Sequence, residues 1–182
     1  MEIDHLPPHC HPGEALPSVD GAVIHFISDR WRHPKDPFNY DRIRDILIEH
    51  GLSYHVFIPR QGEPVEFLPG RLEAWHAGRS RLNGRDWCNG FTHGYALEGL
   101  PGMDYTDDQM LHLGRLLAMD MSENRFTTDW IAGHDTVRAA WNIAHPERAG
   151  KLKPDPGELF DWAALHDMLA GTDLAIRIEE DN

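Results

Sequence analysis

Cysteine is almost missing: Cys10 and Cys88 are the only two in 182 residues. They cannot form the cross-linked framework on which small secreted domains depend, and two reduced thiols are expected. Basic side chains are also scarce, with 17 Lys and Arg against 30 Asp and Glu and a formal net charge of −13. That balance argues against nucleic acid or an anionic membrane as the main partner, since both reward cationic patches. It still allows a local basic pocket. No apolar run is long enough to span a bilayer. The N-terminal Met1 to His5 lacks the cationic start and apolar core of a secretory signal, so a cytoplasmic protein is expected. Internal repeats and low-complexity linkers are absent as well, and the length suits one domain with a real core.

What is present alternates between strand and helix signals. Residues 1–20, rich in Pro and His, read as an irregular arm. Ala22 to Ile27 is a short, β-branched apolar run interrupted by His25, the pattern of a buried strand. From Asp41, Ile43, Ile46 and Leu47 recur at helical spacing, and Gly51 marks the helix end. Ser53–Pro59 and Pro64–Leu68 flank Arg60-Gln61-Gly62-Glu63 as a hairpin. A long loop from Pro69 to Gly90 carries Trp75, His76, Trp87 and several arginines; loops of that length in compact domains are usually functional. Phe91–Leu97 reads as another strand, and Thr106-Asp107-Asp108-Gln109 as a capping box before a helix with Met110, Leu113, Leu116 and Leu117 on one face. Trp130–Ala132 predicts a short strand ending at Gly133-His134-Asp135. Residues 136–153 predict a loop or partly helical insert, and a last helix spans about Phe160–Leu169. The expected fold is a single α/β domain: a central mixed β-sheet flanked by helices, with an arm over 1–20, the body over 21–172 and an acidic tail over 173–182.

Two places suggest metal chemistry. His9-Cys10-His11 has ligand-type side chains but no matching partner motif, and isolated short tracts of this kind are often coincidental. His25 within a strand, His134 past the end of another and Asp155 in a Pro-bounded turn have the character of a catalytic zinc site, which takes three N/O ligands and keeps one position open. A strand histidine is also commonly a satisfied core residue, and spacing alone leaves both readings open.

Six segments in order carry a resemblance: Val23-Ile24-His25, Ser53-Tyr54-His55, Trp75-His76-Ala77-Gly78, Cys88-Asn89 with Leu97-Glu98-Gly99, Gly133-His134-Asp135, and Lys153-Pro154-Asp155-Pro156-Gly157. Together they resemble the type-2 N-acetylmuramoyl-L-alanine amidase family, which includes phage T7-type lysozymes, bacterial anhydromuropeptide amidases and animal peptidoglycan recognition proteins. The match spans about residues 20–170.

The resemblance implies that Zn2+ is held by His25, His134 and Asp155 in a groove at the sheet's edge. It implies that Lys153 stabilises the oxyanion formed when water attacks the amide carbonyl. Recycling members place a glutamate where this chain has Ala96, whereas lysozyme-type members place a tyrosine where it has Tyr54. Tyr54 is therefore expected to handle the proton with Lys153, and Glu98 is the alternative. Trp75, His76, Trp87 and Arg85 are the expected substrate contacts; Trp75 also fits a packed loop anchor. Asn89 reads as a tie between loop and strand. Members that select diaminopimelate carry an arginine where this chain has Trp87, leaving Arg79, Arg81 and Arg85 to supply positive charge.

The implied activity is hydrolysis of the amide between N-acetylmuramic acid and the L-alanine of the stem peptide. The substrate would be peptidoglycan or a soluble muropeptide, and the protein a monomer. Phage lysis and wall recycling both remain open. The alternatives are a non-catalytic peptidoglycan-binding module and a regulatory binding protein of the same fold.

Overall fold

The computed structural model describes residues 1–180. A six-stranded sheet forms its centre. In chain order its strands are β1 (Glu2–Ile3), β2 (Gly21–Ile27), β3 (Val56–Ile58), β4 (Val65–Glu66), β7 (Thr92–Glu98) and β8 (Ile131–Gly133), while β5 (Arg81–Leu82) and β6 (Arg85–Asp86) form a separate hairpin. The spatial order is β1-β4-β3-β7-β2-β8. Within this sheet β3 and β4 are the antiparallel pair, and β2 lies parallel to both β7 and β8. The helices are α1 (Tyr40–His50), α2 (Asp107–Asn124), α3 (His134–Ala144) and α4 (Trp162–Glu180). This is the expected α/β domain with a mixed sheet flanked by helices. Among the described residues, no helix is long and apolar enough to cross a membrane.

Alternation along the central strands divides the core. Ala22 and Ile24 of β2 and Tyr95 and Leu97 of β7 face α2 and α4, where Leu113, Leu117, Leu165 and Leu169 close the larger cluster. On the opposite face, Phe57, Ile27 and Ala96 pack against Ile43 and Leu47 of α1. Val23 packs farther along that face with Phe91, Ala132 and Val137 of α3. His25 is paired in register with Ala96 and projects from this second face, between the two smaller clusters. The helix starts are well fixed. Asn39 caps α1 by accepting from the Arg42 N–H, and Thr106 and Gln109 make both bonds of the capping box on α2.

Several elements differ from the sequence reading. The arm is not wholly irregular, because β1 adds to the sheet beside β4 and Leu6 N–H bonds to the Phe67 carbonyl. Within the long loop, Asn83-Gly84 turns the β5–β6 hairpin, both residues taking positive φ of 46° and 85°. That dipeptide was the available signal. Of the expected loop or partly helical insert, the part up to Ala144 is helical, in one uninterrupted helix from His134, since Val137 and Trp141, one turn apart, are both buried. The last helix continues well past Leu169 because Ile176 returns to the larger cluster. It therefore takes up residues 173–180 of the expected tail; Asp181 and Asn182 lie outside the described residues.

Candidate metal centre and amidase site

Two strand ends and a loop converge on one spot. His25 sits near the C-terminal end of β2, and β8 ends beside it, so the chain turning into α3 presents His134 as the first helical residue. The third contributor, Asp155, is anchored to the same helix start by the Asp135 N–H, which donates to the Asp155 carbonyl at 2.8 Å. Gly133 makes this possible: a Cβ there would lie 2.5 Å from Pro156 Cδ. Ligands in such sheets gather at the carboxyl ends of the strands.

The geometry is a tight triangle. His25 Nδ1 lies 3.1 Å from His134 Nδ1 and 3.0 Å from Asp155 Oδ2, and His134 Nδ1 lies 3.0 Å from the same oxygen. All three residues are buried. Two neutral imidazoles that both donated to Asp155 would leave their protons facing each other across the Nδ1–Nδ1 edge. A cation at the centre satisfies all three lone pairs instead. A tetrahedral ion with bonds of about 2.0–2.1 Å separates its ligand atoms by about 3.3 Å, close to this triangle. The donor set, two imidazole nitrogens and one carboxylate oxygen, suits zinc. Among the described residues, these three form the one group of His, Cys, Asp and Glu able to hold a metal ion. The His9-Cys10-His11 tract does not converge. His9 bonds to the Ile48 carbonyl, Cys10 is buried near the Leu47 carbonyl, and His11 accepts from the Gly13 N–H.

Electrostatics follow the burial. Desolvation pushes the His25 pKa down to about 4, against the opposing pull of Asp155. For Asp155, burial would raise the carboxyl, but the bonds to His134 and His25 outweigh it and hold it well below the usual carboxylate range.

Behind His25 stands a second histidine. His25 Nε2 is 3.0 Å from His76 Nδ1, and His76 Nε2 is 3.4 Å from Thr92 Oγ1, whose hydroxyl donates to the Cys88 carbonyl at 2.7 Å. If Nδ1 of His25 is given to an ion, its proton must sit on Nε2, and His76 Nδ1 is there to accept it. Burial, then the field of His25, lowers the His76 pKa and favours the neutral ring this requires. Gly94 leaves the space: a Cβ there would lie 2.6 Å from His76 Cγ. Asn89 holds the segment from below, its Oδ1 accepting from the Ala77 and His76 N–H groups. His76 was expected to touch substrate; it lines the cleft, and its ring nitrogens face His25 and Thr92.

The triangle opens into a cleft of about 470 Å³, lined by Tyr54, Trp75, His134, Lys153 and Asp155 among others. The Tyr54 ring packs 4.9 Å from that of His25, and its phenol pKa is pushed up by burial and by Asp155. Lys153 is exposed at the rim. Trp75 is 36% exposed, its backbone paired with Ser53. Glu98 lies elsewhere: it is buried, accepts from the Arg60 N–H and does not line the cleft.

Two expected substrate contacts also fall outside the lining. Arg85, on β6, is held by Asp20 and lies over the Phe91 ring, because the β5–β6 hairpin turns it that way. Trp87 packs against Trp141 with ring centroids 4.7 Å apart. Arg81 is committed to Asp86. The sequence reading missed Arg138 of α3, which does line the cleft. Its signal was the four-residue spacing from His134, visible only once 134–144 is a helix.

The family profile described as N-acetylmuramoyl-L-alanine amidase matches residues 15–158. The chain belongs to that family. The 1,6-anhydro-N-acetylmuramyl-L-alanine amidase AmpD of Enterobacter cloacae is 38% identical over 93% of this chain and 91% of its own length. The protein of that name from Haemophilus influenzae is 32% identical, covering 85% of each. Among solved structures, a selenomethionine derivative of AmpD superposes with a TM-score of 0.71 at 27% identity, covering 92% of this chain and 93% of that one. Escherichia coli AmiD, solved with anhydro-N-acetylmuramic acid-L-Ala-D-γ-Glu-L-Lys, shares the fold at a TM-score of 0.65 and 22% identity, over 85% of this chain and 58% of its own. The enzyme class is therefore N-acetylmuramoyl-L-alanine amidase.

Proposed function

We propose that this amidase is zinc-dependent and cleaves the bond between the lactyl carbonyl of N-acetylmuramic acid and the L-alanine nitrogen of soluble muropeptides, acting in wall recycling. The observation that carries the reading is the triangle of His25 Nδ1, His134 Nδ1 and Asp155 Oδ2, with every edge 3.0–3.1 Å, at the floor of the cleft. Bound there, zinc would polarise the scissile carbonyl and lower the pKa of water.

The surrounding residues have separable tasks. The Tyr54 phenol, packed on His25, orients the attacking water or the carbonyl by hydrogen bonding. Lys153, two residues before Asp155, brings a cation to the cleft, where it favours the negative oxygen of the tetrahedral state. Trp75 offers a partly exposed ring to sugar or peptide. His76 fixes the tautomer and orientation of His25. The 1,6-anhydro substrate named for the Enterobacter and Haemophilus relatives supports a soluble muropeptide over intact wall.

The test pairs metal analysis with hydrolysis. The purified protein should contain about one zinc, release L-alanine amines from 1,6-anhydro muropeptides and lose that activity to a chelator. His25→Ala and Asp155→Ala should lose both metal and activity. Full activity in a metal-free sample would overturn the zinc assignment, and exclusive action on intact sacculi would overturn the recycling role.

A further inference from the structure

Most arginines with a defined side-chain contact in this acidic protein hold a carboxylate: Arg42 bonds Asp29 and Asp36, Arg81 bonds Asp86, and Arg177 bonds Asp129 and Asp173. Arg138 does not. It lines the cleft, its Nε is buried, and no described side chain or carbonyl accepts from it. The guanidinium fits between two glycines: Nη2 lies 3.9 Å from where a Cβ on Gly78 would stand, and Nη1 3.4 Å from one on Gly150. Burial, and then the field of Arg79, lowers its pKa. Arg79 is itself partly engaged, donating to the Arg148 carbonyl at 3.3 Å. An unpartnered buried donor is costly, and a cation with a second cation beside it favours an anion.

The helix sets the distance. His134 and Arg138 are four residues apart on the same face of α3, about 6 Å along its axis. In the stem peptide, the alanine nitrogen belongs to the scissile bond and a γ-linked glutamate follows. Because that glutamate is linked through its side chain, its α-carboxylate is free. An extended two-residue path from the scissile carbonyl to that carboxylate spans about 7 Å. Arg138 therefore stands at the distance of the second residue, whereas a C-terminal carboxylate of a longer stem lies at least one residue farther.

We propose that Arg138, supported by Arg79, is the receptor for the free α-carboxylate of the γ-linked glutamate in the departing peptide. The proposal rests on the muropeptide reading above and adds a specificity determinant to it. The guanidinium can meet a carboxylate with two parallel N–H bonds, a geometry that an amide cannot match.

The experiment measures binding of the released peptide, which does not depend on turnover. L-Ala-γ-D-Glu, its α-amide and L-Ala-γ-D-Glu-L-Lys with free or amidated C-terminus are titrated into the zinc-loaded protein, wild type, Arg138→Gln and Arg138→Lys. Thermal unfolding confirms that each variant is folded. The wild type should prefer the α-acid over the α-amide by about tenfold to a hundredfold. That preference should collapse toward unity in Arg138→Gln and be partly restored in Arg138→Lys. An undiminished preference in Arg138→Gln overturns the proposal, as does wild-type protein that binds acid and amide alike or neither. A preference that follows the C-terminal carboxylate overturns the choice of residue. Failure to hydrolyse any soluble muropeptide, with the α-acid preference intact, would instead sink the muropeptide reading and leave the carboxylate site standing.

Discussion

Replacing His76 by alanine removes a ring outside the proposed metal triangle, yet a large effect on metal affinity is expected. His25 is fully buried, and its Nε2 has His76 Nδ1 as partner at 3.0 Å. Without that acceptor the His25 N–H is orphaned, at a cost of about 1–3 kcal/mol to the folded protein. The imidazole is also freed to turn or change tautomer, either of which takes Nδ1 away from His134 and Asp155. Loss of such supporting partners typically weakens metal affinity about 10–100-fold. At about 1.4 kcal/mol per tenfold, the extra stability that zinc gives should shrink by about 1.4–2.8 kcal/mol. Competition with a chromogenic chelator gives the affinity, and melting with and without metal gives the stability difference. His76→Gln, whose amide oxygen can still accept, should recover part of the loss. Gly94→Ala should mimic the defect with every polar group retained, because the new Cβ would lie 2.6 Å from His76 Cγ. Wild-type zinc affinity in His76→Ala, with an unchanged gap between metal-free and metal-loaded stability, would refute the reasoning.

Lys153→Gln should lower kcat about 10²–10³-fold with zinc content unchanged, as expected for loss of one group that stabilises the oxyanion; kinetics alongside metal analysis decides this. Tyr54→Phe should also reduce kcat more than it changes KM, because the ring packing on His25 remains while the hydroxyl is lost. A third expectation concerns pH and stability away from the cleft. His93 bonds Asp120 at 2.9 Å and the Gly70 carbonyl at 2.8 Å, beside the His55 ring and the Tyr95 hydroxyl. Burial lowers its pKa, but Asp120 outweighs that and leaves it above the ordinary 6.5. The resulting stabilisation is complete below about pH 6.5 and is lost as pH rises through the raised folded value. The melting difference between wild type and His93→Gln should therefore be largest in mild acid and shrink above neutrality; the opposite trend would reject the ion pair. Finally, Ile176→Ala should cost about 2–4 kcal/mol in denaturant unfolding because Ile176 is 3% exposed in the main core, whereas a helix ended at Leu169 would make it neutral.

The sequence by itself determined the parts that depend on local pattern. The β-branched run around His25 and the capping box at Thr106 state their structures through nearest-neighbour chemistry. The ordered segments from Val23-Ile24-His25 to Lys153-Pro154-Asp155 were enough to point to an amidase family and to select the three residues that the fold brings within 3.1 Å. What only tertiary structure decided is how side chains are shared. Nothing local says that His76 turns toward His25 rather than toward substrate, because that depends on the space above Gly94 in another strand. Nothing local commits Arg85 to Asp20, sixty-five residues away, while leaving Arg138 without an acid. The extents of α3 and α4 were likewise hidden, because Val137 and Ile176 are held by cores assembled from distant strands and Trp141 packs on Trp87. Propensity acts between neighbours, whereas burial and hydrogen-bond partnership are set by residues that meet only when the sheet closes.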